Sequence, residues 1–363
     1  MKIAIDAREL RTSTGRYIER LIYYLQKIDH KNQYLILLKP KDMDSWHAIN
    51  HNFNKVECPH KEFTLDEQIG FKKQLDSLNV DLVHFGMVQQ PILYKGTTVT
   101  TMHDLTTLRF RNPAKNPIIF WLKQQIYAFV NIRAAKKSRF IITPTDFVKQ
   151  DIVNFCKVDA DKIIVTPESA DKIIDTPETY FPMINKKFIM YVGRPTPHKN
   201  LDRLIDAFVL LNKKHPDLYL VLAGKKDFNY KLHEKRVNKQ QIKNIVFTDF
   251  IPDTQLAWLY QNSQAYCFPS LSEGFGLPGL EAMHYGTPVV SSNATCLPEV
   301  YADAAHYFNP KDAEDICRAI NDVLTNPDLK QELIKNGYKR VNQFSWQRMA
   351  EQTLKIYESA LHN

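Results

Sequence analysis

No uninterrupted apolar run in the 363-residue sequence reaches the roughly 18 to 20 positions that a membrane-spanning helix needs, because Lys, Arg, Asp or Asn breaks each one. A chain that crosses a bilayer is therefore not expected. Close cysteine pairs are also missing: Cys58, Cys156, Cys267, Cys296 and Cys317 are odd in number and widely scattered. That argues against a disulfide framework or a paired-cysteine zinc site and fits reduced, mostly buried thiols. The first residues, Met1–Asp6, lack the basic head, apolar stretch and cleavage site of a secretory signal and read directly into a strand. The expected location is the cytoplasm.

What is present is the composition of a globular enzyme, 44% hydrophobic and 24% charged. At about 150 residues per domain the length suits two domains. Short β-branched runs alternate with longer amphipathic stretches, the pattern of parallel sheets covered by helices. One series of strands is expected at Lys2–Ile5, Tyr34–Leu38, Leu82–Phe85, Thr98–Met102, Phe140–Thr143 and Ile163–Thr166. A second follows at Phe188–Val192, Tyr219–Ala223, Ile245–Phe247, Ala265–Phe268 and Pro288–Ser291. The expectation is an N-terminal domain over 1–170, a proline-bearing linker over 171–187 and a C-terminal domain over 188–345. Within the junction, Asp161–Glu168 recurs almost unchanged as Asp171–Glu178, but Asp175 replaces Val165, so the first copy reads as strand and the second as linker.

A net charge of +8 attracts anions of any kind. The stretch Ile118–Lys137 mixes Trp121, Tyr127 and Phe129 with Lys123, Arg133, Lys136 and Lys137. Such a helix can lie on an anionic membrane; the preferred reading is a core helix with a solvated basic end.

The densest chemical signal is Ser270–Ser291, where a strand enters a glycine-rich turn and then a helix. Gly274 and Gly276 let backbone approach a ligand, and free N–H groups at the helix start suit phosphate or sugar oxygens. Glu273 at the mouth of the turn and Glu281 within the helix can each accept hydrogen bonds from sugar hydroxyls. Gly274, Gly276 and Gly279 also spell the GxGxxG dinucleotide fingerprint, but that fingerprint normally follows the first strand of its domain, and this one comes late. Earlier, Gly193-Arg194 and Lys199-Asn200 follow the first strand of the second series. Arg194 offers a planar fork and Lys199 a point charge, a pair suited to a diphosphate; as solvated surface cations they would do nothing.

With these residues in view the chain resembles the family 4 retaining glycosyltransferases of the GT-B fold over nearly its whole length. The likeness rests on Gly193-Arg194, Lys199-Asn200-Leu201, Glu273 with Glu281, Pro298-Glu299-Val300 and Phe344-Ser345-Trp346, and in the first half on Asp6-Ala-Arg8, Gly15-Arg16-Tyr17 and Thr101–Leu105. It implies two Rossmann-like domains facing across a cleft, with the C-terminal helix 346–363 crossing back onto the first. It also implies that Arg194 and Lys199 hold a donor diphosphate, Glu273 contacts the transferred sugar, Glu281 holds the ribose, and Gly193, Gly274, Phe275, Gly276 and Leu277 line the donor site. His103 would reach the sugar unless it is a core imidazole paired with Asp104, and the glycine loop Arg11–Gly15 would close over the phosphates. Two departures stand out: that loop has one glycine where relatives often have two, and Pro167–Asp171 replaces an expected Asn-Gly turn.

The implied chemistry is hexosyl transfer from a nucleoside-diphosphate sugar to a glycan or lipid-linked acceptor. The leaving phosphate would take the acceptor proton on the face of attack, while cations and amides stabilise it. No metal or cofactor is then expected; Asp159-Ala-Asp161 reads as solvated turn residues. Ser270–Asn293 looks most like bacterial mannosyltransferases of polysaccharide assembly, which makes GDP-mannose the first guess, ahead of UDP sugars. Glycoside hydrolysis is a minor alternative, since the two glutamates suit two separate sugars better than opposite faces of one. The rival from another class is a non-catalytic nucleotide or nucleic-acid module, but aromatic and basic residues are not interleaved in any nucleic-acid motif, so no nucleic-acid partner is expected.

Overall fold

The computed structural model describes all residues except 11, 13–14, 111–116, 174 and 363, and omits the side chains of 117, 119 and 362. The chain divides into two compact units, Met1–Leu108 with Trp121–Glu168 and Ser345–Asn363, and Arg109–Phe120 with Ser169–Phe344.

The first unit follows the order β1 (Lys2–Asp6), α1 (Gly15–Ile28), β2 (Gln33–Leu38), β3 (Phe53–Glu57), α2 (Lys72–Ser77), β4 (Leu82–Phe85), β5 (Thr98–Thr101), α3 (Thr106–Arg109), α4 (Pro117–Lys137), β6 (Phe140–Thr143), α5 (Asp146–Cys156) and β7 (Ile163–Val165). Its seven strands pair in parallel in the order β3-β2-β1-β4-β5-β6-β7. The second unit contains β8 (Lys187–Val192), α6 (Leu201–Asn212), β9 (Leu218–Ala223), α7 (Phe228–Lys239), β10 (Ile245–Phe247), α8 (Asp253–Asn262), β11 (Tyr266–Phe268), α9 (Leu277–His284), β12 (Val289–Ser292), α10 (Leu297–Tyr301), β13 (Ala305–Phe308), α11 (Ala313–Thr325) and α12 (Pro327–Val341). Its six strands are also parallel, in the order β10-β9-β8-β11-β12-β13. The final helix, α13 (Trp346–His362), packs along α1 in the first unit.

Parallel strands covered on both faces read as continuous apolar runs, and Phe188–Tyr191 and Leu220–Ala223 are buried throughout. The strands absent from the sequence reading, β3 and β13, are both edge strands, where half-exposed segments such as Phe53-Asn-Lys-Val-Glu57 carry a weaker apolar signal. Each sheet reverses its strand order once, between β1 and β4 in the first unit and between β8 and β11 in the second. Open α/β sheets bind ligands outside the carboxyl ends of the strands at such a switch point. That rule selects the loops after β1, β4, β8 and β11.

One expectation holds and one changes. The first copy of the repeated segment supplies β7, with Asp159 capping the turn before it by accepting from the Asp161 N–H at 3.1 Å. The second copy has no regular element among its described residues. Helix α4 is not a core helix with only its basic end in solvent: Val130, Asn131, Ala134 and Ala135 are buried, but Trp121, Leu122, Ile126 and Phe129 are exposed. The helix is apolar on nearly every side, and the core covers only one of them.

Candidate active site

In the second unit β8 ends at Val192 and the chain turns at Gly193, whose φ of +142° lies in a region L side chains rarely adopt. A Cβ there would sit 2.9 Å from the Tyr191 hydroxyl. The loop closes at Asn200, itself left-handed with φ 60°, and the buried Asn200 side chain donates to the carbonyls of Pro269 (3.0 Å) and Pro310 (2.7 Å). The Leu271 N–H donates to the His198 carbonyl at 2.7 Å. These bonds fasten the loop after β8 to the loop after β11.

The consequence is an ion pair. Lys199 Nζ donates to Glu273 Oε1 at 2.6 Å, with the two side chains only 19% and 12% exposed. The ammonium also lies 5.5 Å from the centre of the Phe268 ring. Glu273 is held by its backbone, its N–H donating to Thr295 Oγ1 (3.1 Å) and its carbonyl accepting from Cys296 Sγ (3.2 Å). Arg194, on the same loop as Lys199, is exposed and makes no ion pair among the described residues.

Past Glu273, Gly274 and Phe275 are buried, and Phe275 meets Phe344 edge-on at 5.4 Å. Gly276 takes φ +101° immediately before Leu277 opens α9. Its carbonyl accepts from the Tyr301 hydroxyl at 2.5 Å, and a Cβ on Gly276 would lie 2.6 Å from that oxygen. The same hydroxyl would meet a Cβ on Gly279 at 2.3 Å. The third glycine of the fingerprint-like triplet thus accommodates a tyrosine. On the second turn of α9, Glu281 Oε2 accepts from Tyr260 Oη at 3.0 Å, and the Tyr260 ring stacks on Tyr285 at 5.6 Å.

In the first unit His103 follows β5, with Nδ1 2.9 Å from Glu168 Oε1 and Nε2 3.1 Å from the Gly86 carbonyl. Both partners accept, so an imidazolium that donates from each nitrogen satisfies them together. Burial by itself lowers the imidazole pKa. The hydrogen bond to Glu168, the charges of Glu168 and Asp104, and the Gly86 carbonyl outweigh it, and the net direction is upward. The local pairing of His103 with Asp104 is not observed as a hydrogen bond; Asp104 accepts from the Thr106 N–H at 2.7 Å at the start of α3. The Tyr17 ring abuts His103 at 5.0 Å, edge to face. Behind it, His84 is bonded to Tyr357 of α13 (2.5 Å) and Thr101 (2.9 Å). Burial, then the neighbouring His103, lower its pKa to about 3.

Gly15 begins α1, and its N–H donates to the Thr12 carbonyl at 3.0 Å. Positions 11, 13 and 14 of the glycine loop lie outside the described residues. Arg8 is buried, pairs with Asp6 (2.7 Å) and Glu67 (3.0 Å), and stacks 4.2 Å over Phe71. It braces the loops after β1 and β3. A cavity of about 20 Å³, room for one water, is lined by Asp6, Arg8, Glu9, Gly15, Ile18, Glu62, Met87 and Gln89.

The structure therefore joins Lys199 directly to Glu273, leaves Arg194 free of both, holds Glu281 through Tyr260, and places His103 and Gly15 in the other unit. Glu168, Tyr260 and Tyr301 had no assigned part in the sequence reading. Glu168 alone carried a signal, a carboxylate in the loop just past an apolar strand.

Residues 181–340 match the family model described as "Glycosyl transferases group 1". Over 275 residues, 72% of this chain and 70% of the relative, the sequence is 30% identical to O-antigen chain mannosyltransferase B of Escherichia coli. The chain belongs to the group 1 glycosyltransferases. It is also 28% identical over 286 residues to the serotype-specific mannosyltransferase WbdA of Escherichia coli, though the match spans only 34% of that longer protein. Among solved structures, Anabaena HepE in complex with UDP-glucose superposes with a TM-score of 0.74 at 16% identity, covering 99% of this chain and 100% of the other. The two parallel α/β units are those of a GT-B glycosyltransferase. Within this group 1 glycosyltransferase, the family model covers Gly193, Arg194, Lys199, Glu273 and Glu281 but not His103 or Glu168.

Proposed function

We propose that the protein transfers a hexose, with retention of anomeric configuration, from a nucleoside-diphosphate sugar to a glycan or lipid-linked acceptor. The observation that carries this reading is the Lys199–Glu273 pair beside the start of α9, at the switch point of the second sheet. Lys199 and Arg194 face the diphosphate, Glu273 the transferred sugar and Glu281 the ribose. As the bond to the leaving diphosphate breaks, its growing negative charge gains more from these cations than the ground state does. The leaving phosphate takes the acceptor proton, so no side-chain nucleophile is required, and the side-chain cations do the neutralising without a metal.

GDP-mannose is the proposed donor, supported by the mannosyltransferase names of the relatives; HepE, solved with UDP-glucose, makes UDP-glucose the comparison. A thermal-shift screen against GDP and UDP sugars tests this. A ligand at one hundred times its dissociation constant adds about 2.7 kcal/mol of stability. A shift with GDP-mannose together with mannose release or transfer supports the reading. A shift confined to UDP sugars replaces the donor, and no shift with any nucleotide sugar removes the reaction.

A further inference from the structure

The first unit carries an apolar surface that the transfer chemistry does not use. Trp121, Ile126 and Phe129 of α4 are 57%, 58% and 49% exposed, with Leu122 between them at 50%. At 3.6 residues per turn these four fall, with Gln125, Arg133 and Lys136, within less than half of the helix circumference. The opposite arc is buried: Val130, Ala134 and Ala135 pack with Met102, Leu105 and Ile141. Contiguous apolar side chains of this size mark an interaction surface.

Charge selects the partner. Residues 117–137 hold Lys123, Arg133, Lys136 and Lys137 and no Asp or Glu. Lys137 is turned inward, its Nζ donating to the Pro91 carbonyl at 3.3 Å and lying 5.0 Å from the Tyr94 ring centre. Lys123, Arg133 and Lys136 are exposed, and of these Arg133 and Lys136 lie on the same arc as the apolar side chains. The Arg133 guanidinium lies 5.4 Å over the Phe129 ring, so cation and apolar surface share one stripe. A second copy docked through the same face would bring these cations against themselves, because a two-fold interface is self-complementary. An interface that accepts apolar side chains and is lined with negative charge has neither difficulty.

We propose that this face of α4 docks on an anionic lipid surface, the apolar side chains entering the headgroup boundary and Arg133 and Lys136 meeting lipid phosphates. The proposal stands apart from the transfer reaction, since lipid binding is read without donor or acceptor.

The test is sedimentation of the full chain with vesicles of phosphatidylcholine alone or mixed with phosphatidylglycerol. The wild type is expected to bind the mixed vesicles, to bind the zwitterionic ones far less, and to be released by salt. An Ile126→Glu, Phe129→Glu variant is expected to lose about tenfold or more of the bound fraction, and an Arg133→Glu, Lys136→Glu variant to lose the preference for anionic lipid. In the wild type, brominated acyl chains are expected to quench Trp121 fluorescence, with Trp121→Phe as the reference, a readout independent of how the glutamate variants fold. Absence of binding to mixed vesicles, unchanged binding by the variants, or no quenching of Trp121 overturns the proposal. So does an α4-dependent dimer in solution that survives with anionic vesicles present.

Discussion

His103 Nδ1 and Glu168 Oε1 stand 2.9 Å apart, joining a residue after the fifth strand to one 65 positions later, after the seventh. The pairing raises the imidazole pKa against the opposing effect of burial. A raised folded-state pKa stabilises the protein in full below the ordinary imidazole value of about 6.5 and loses that effect as pH rises through the raised value. Hydrogen bonds to charged groups contribute about 1.5–3 kcal/mol. Glu168→Gln is therefore expected to destabilise the protein by that order near pH 6 and by progressively less at alkaline pH. Denaturant titrations of both proteins across pH measure this, and a difference that grows with pH would contradict the charged pair.

The Lys199–Glu273 ion pair sets a second expectation. Lys199→Ala removes a cation proposed to face the diphosphate and is expected to lower transfer on the order of a hundredfold, as removal of one preorganised charge-stabilising group does. Glu273→Ala releases Lys199, so calorimetry is expected to show nucleoside-diphosphate binding unchanged or tighter while transfer falls. Weaker diphosphate binding by Glu273→Ala would remove the distinction between the two roles.

Glu281 is anchored by Tyr260 Oη at 3.0 Å on the second turn of α9. If it holds the ribose, Glu281→Ala costs a charge-assisted hydrogen bond, about tenfold or more in affinity for the bare nucleoside diphosphate. Tyr260→Phe is expected to produce a smaller loss in the same direction. Calorimetry in which Glu281→Ala binds the diphosphate as tightly as wild type would exclude the ribose role.

Both sheets were legible in the sequence because buried parallel strands announce themselves as unbroken apolar runs. Phe188–Tyr191 is one such run; Phe53–Glu57, on a sheet edge with its polar residues exposed, is not. The positions of Gly193–Lys199 and Ser270–Gly276 directly after strands were equally legible, being local. What joins them was not: Lys199 and Glu273 are 74 positions apart, and their meeting depends on Asn200 fastening one loop to the carbonyls of Pro269 and Pro310. The same applies to His103. Its chain neighbour Asp104 was the local candidate partner, but the hydrogen bond goes to a junction residue whose sequence had looked only like a departure. Exposure of the apolar side of α4 was hidden for a related reason, since a helix apolar on most sides does not reveal which side the core covers.

Gly276 offers a test of the backbone rather than of charge. Its φ of +101° strains any L side chain, and an added Cβ would lie 2.6 Å from the Tyr301 hydroxyl that donates to its carbonyl. Gly276→Ala is expected to destabilise the protein by about 1–3 kcal/mol. Pairing it with Tyr301→Phe isolates the contact with oxygen: the double variant relieves that contact but keeps the dihedral strain and the approach to Leu297 Cδ2, 2.8 Å from the added Cβ. A thermal melt in which Gly276→Ala matches wild type would show that the turn relaxes.

Arg194 and Lys199 share one loop but differ in environment, and the difference makes their predicted phenotypes separable. Lys199 is mostly covered and neutralised by Glu273, so its loss leaves a carboxylate without its partner and disturbs the resting protein as well as the reaction. Arg194 is exposed and makes no ion pair among the described residues, so nothing in the resting fold depends on its charge. Surface substitutions of this kind usually change stability by no more than about 0.5 kcal/mol. Arg194→Ala is accordingly expected to melt with wild type in the absence of ligand, yet to transfer on the order of a hundredfold more slowly, because its guanidinium is needed only when a diphosphate arrives. Arg194→Lys keeps the charge but loses the planar fork, and is expected to recover part of the rate. Melting curves and turnover on the same preparations decide the matter. Normal turnover by Arg194→Ala would leave Lys199 as the sole proposed diphosphate cation, and a lowered melting point without ligand would show that the arginine serves the fold.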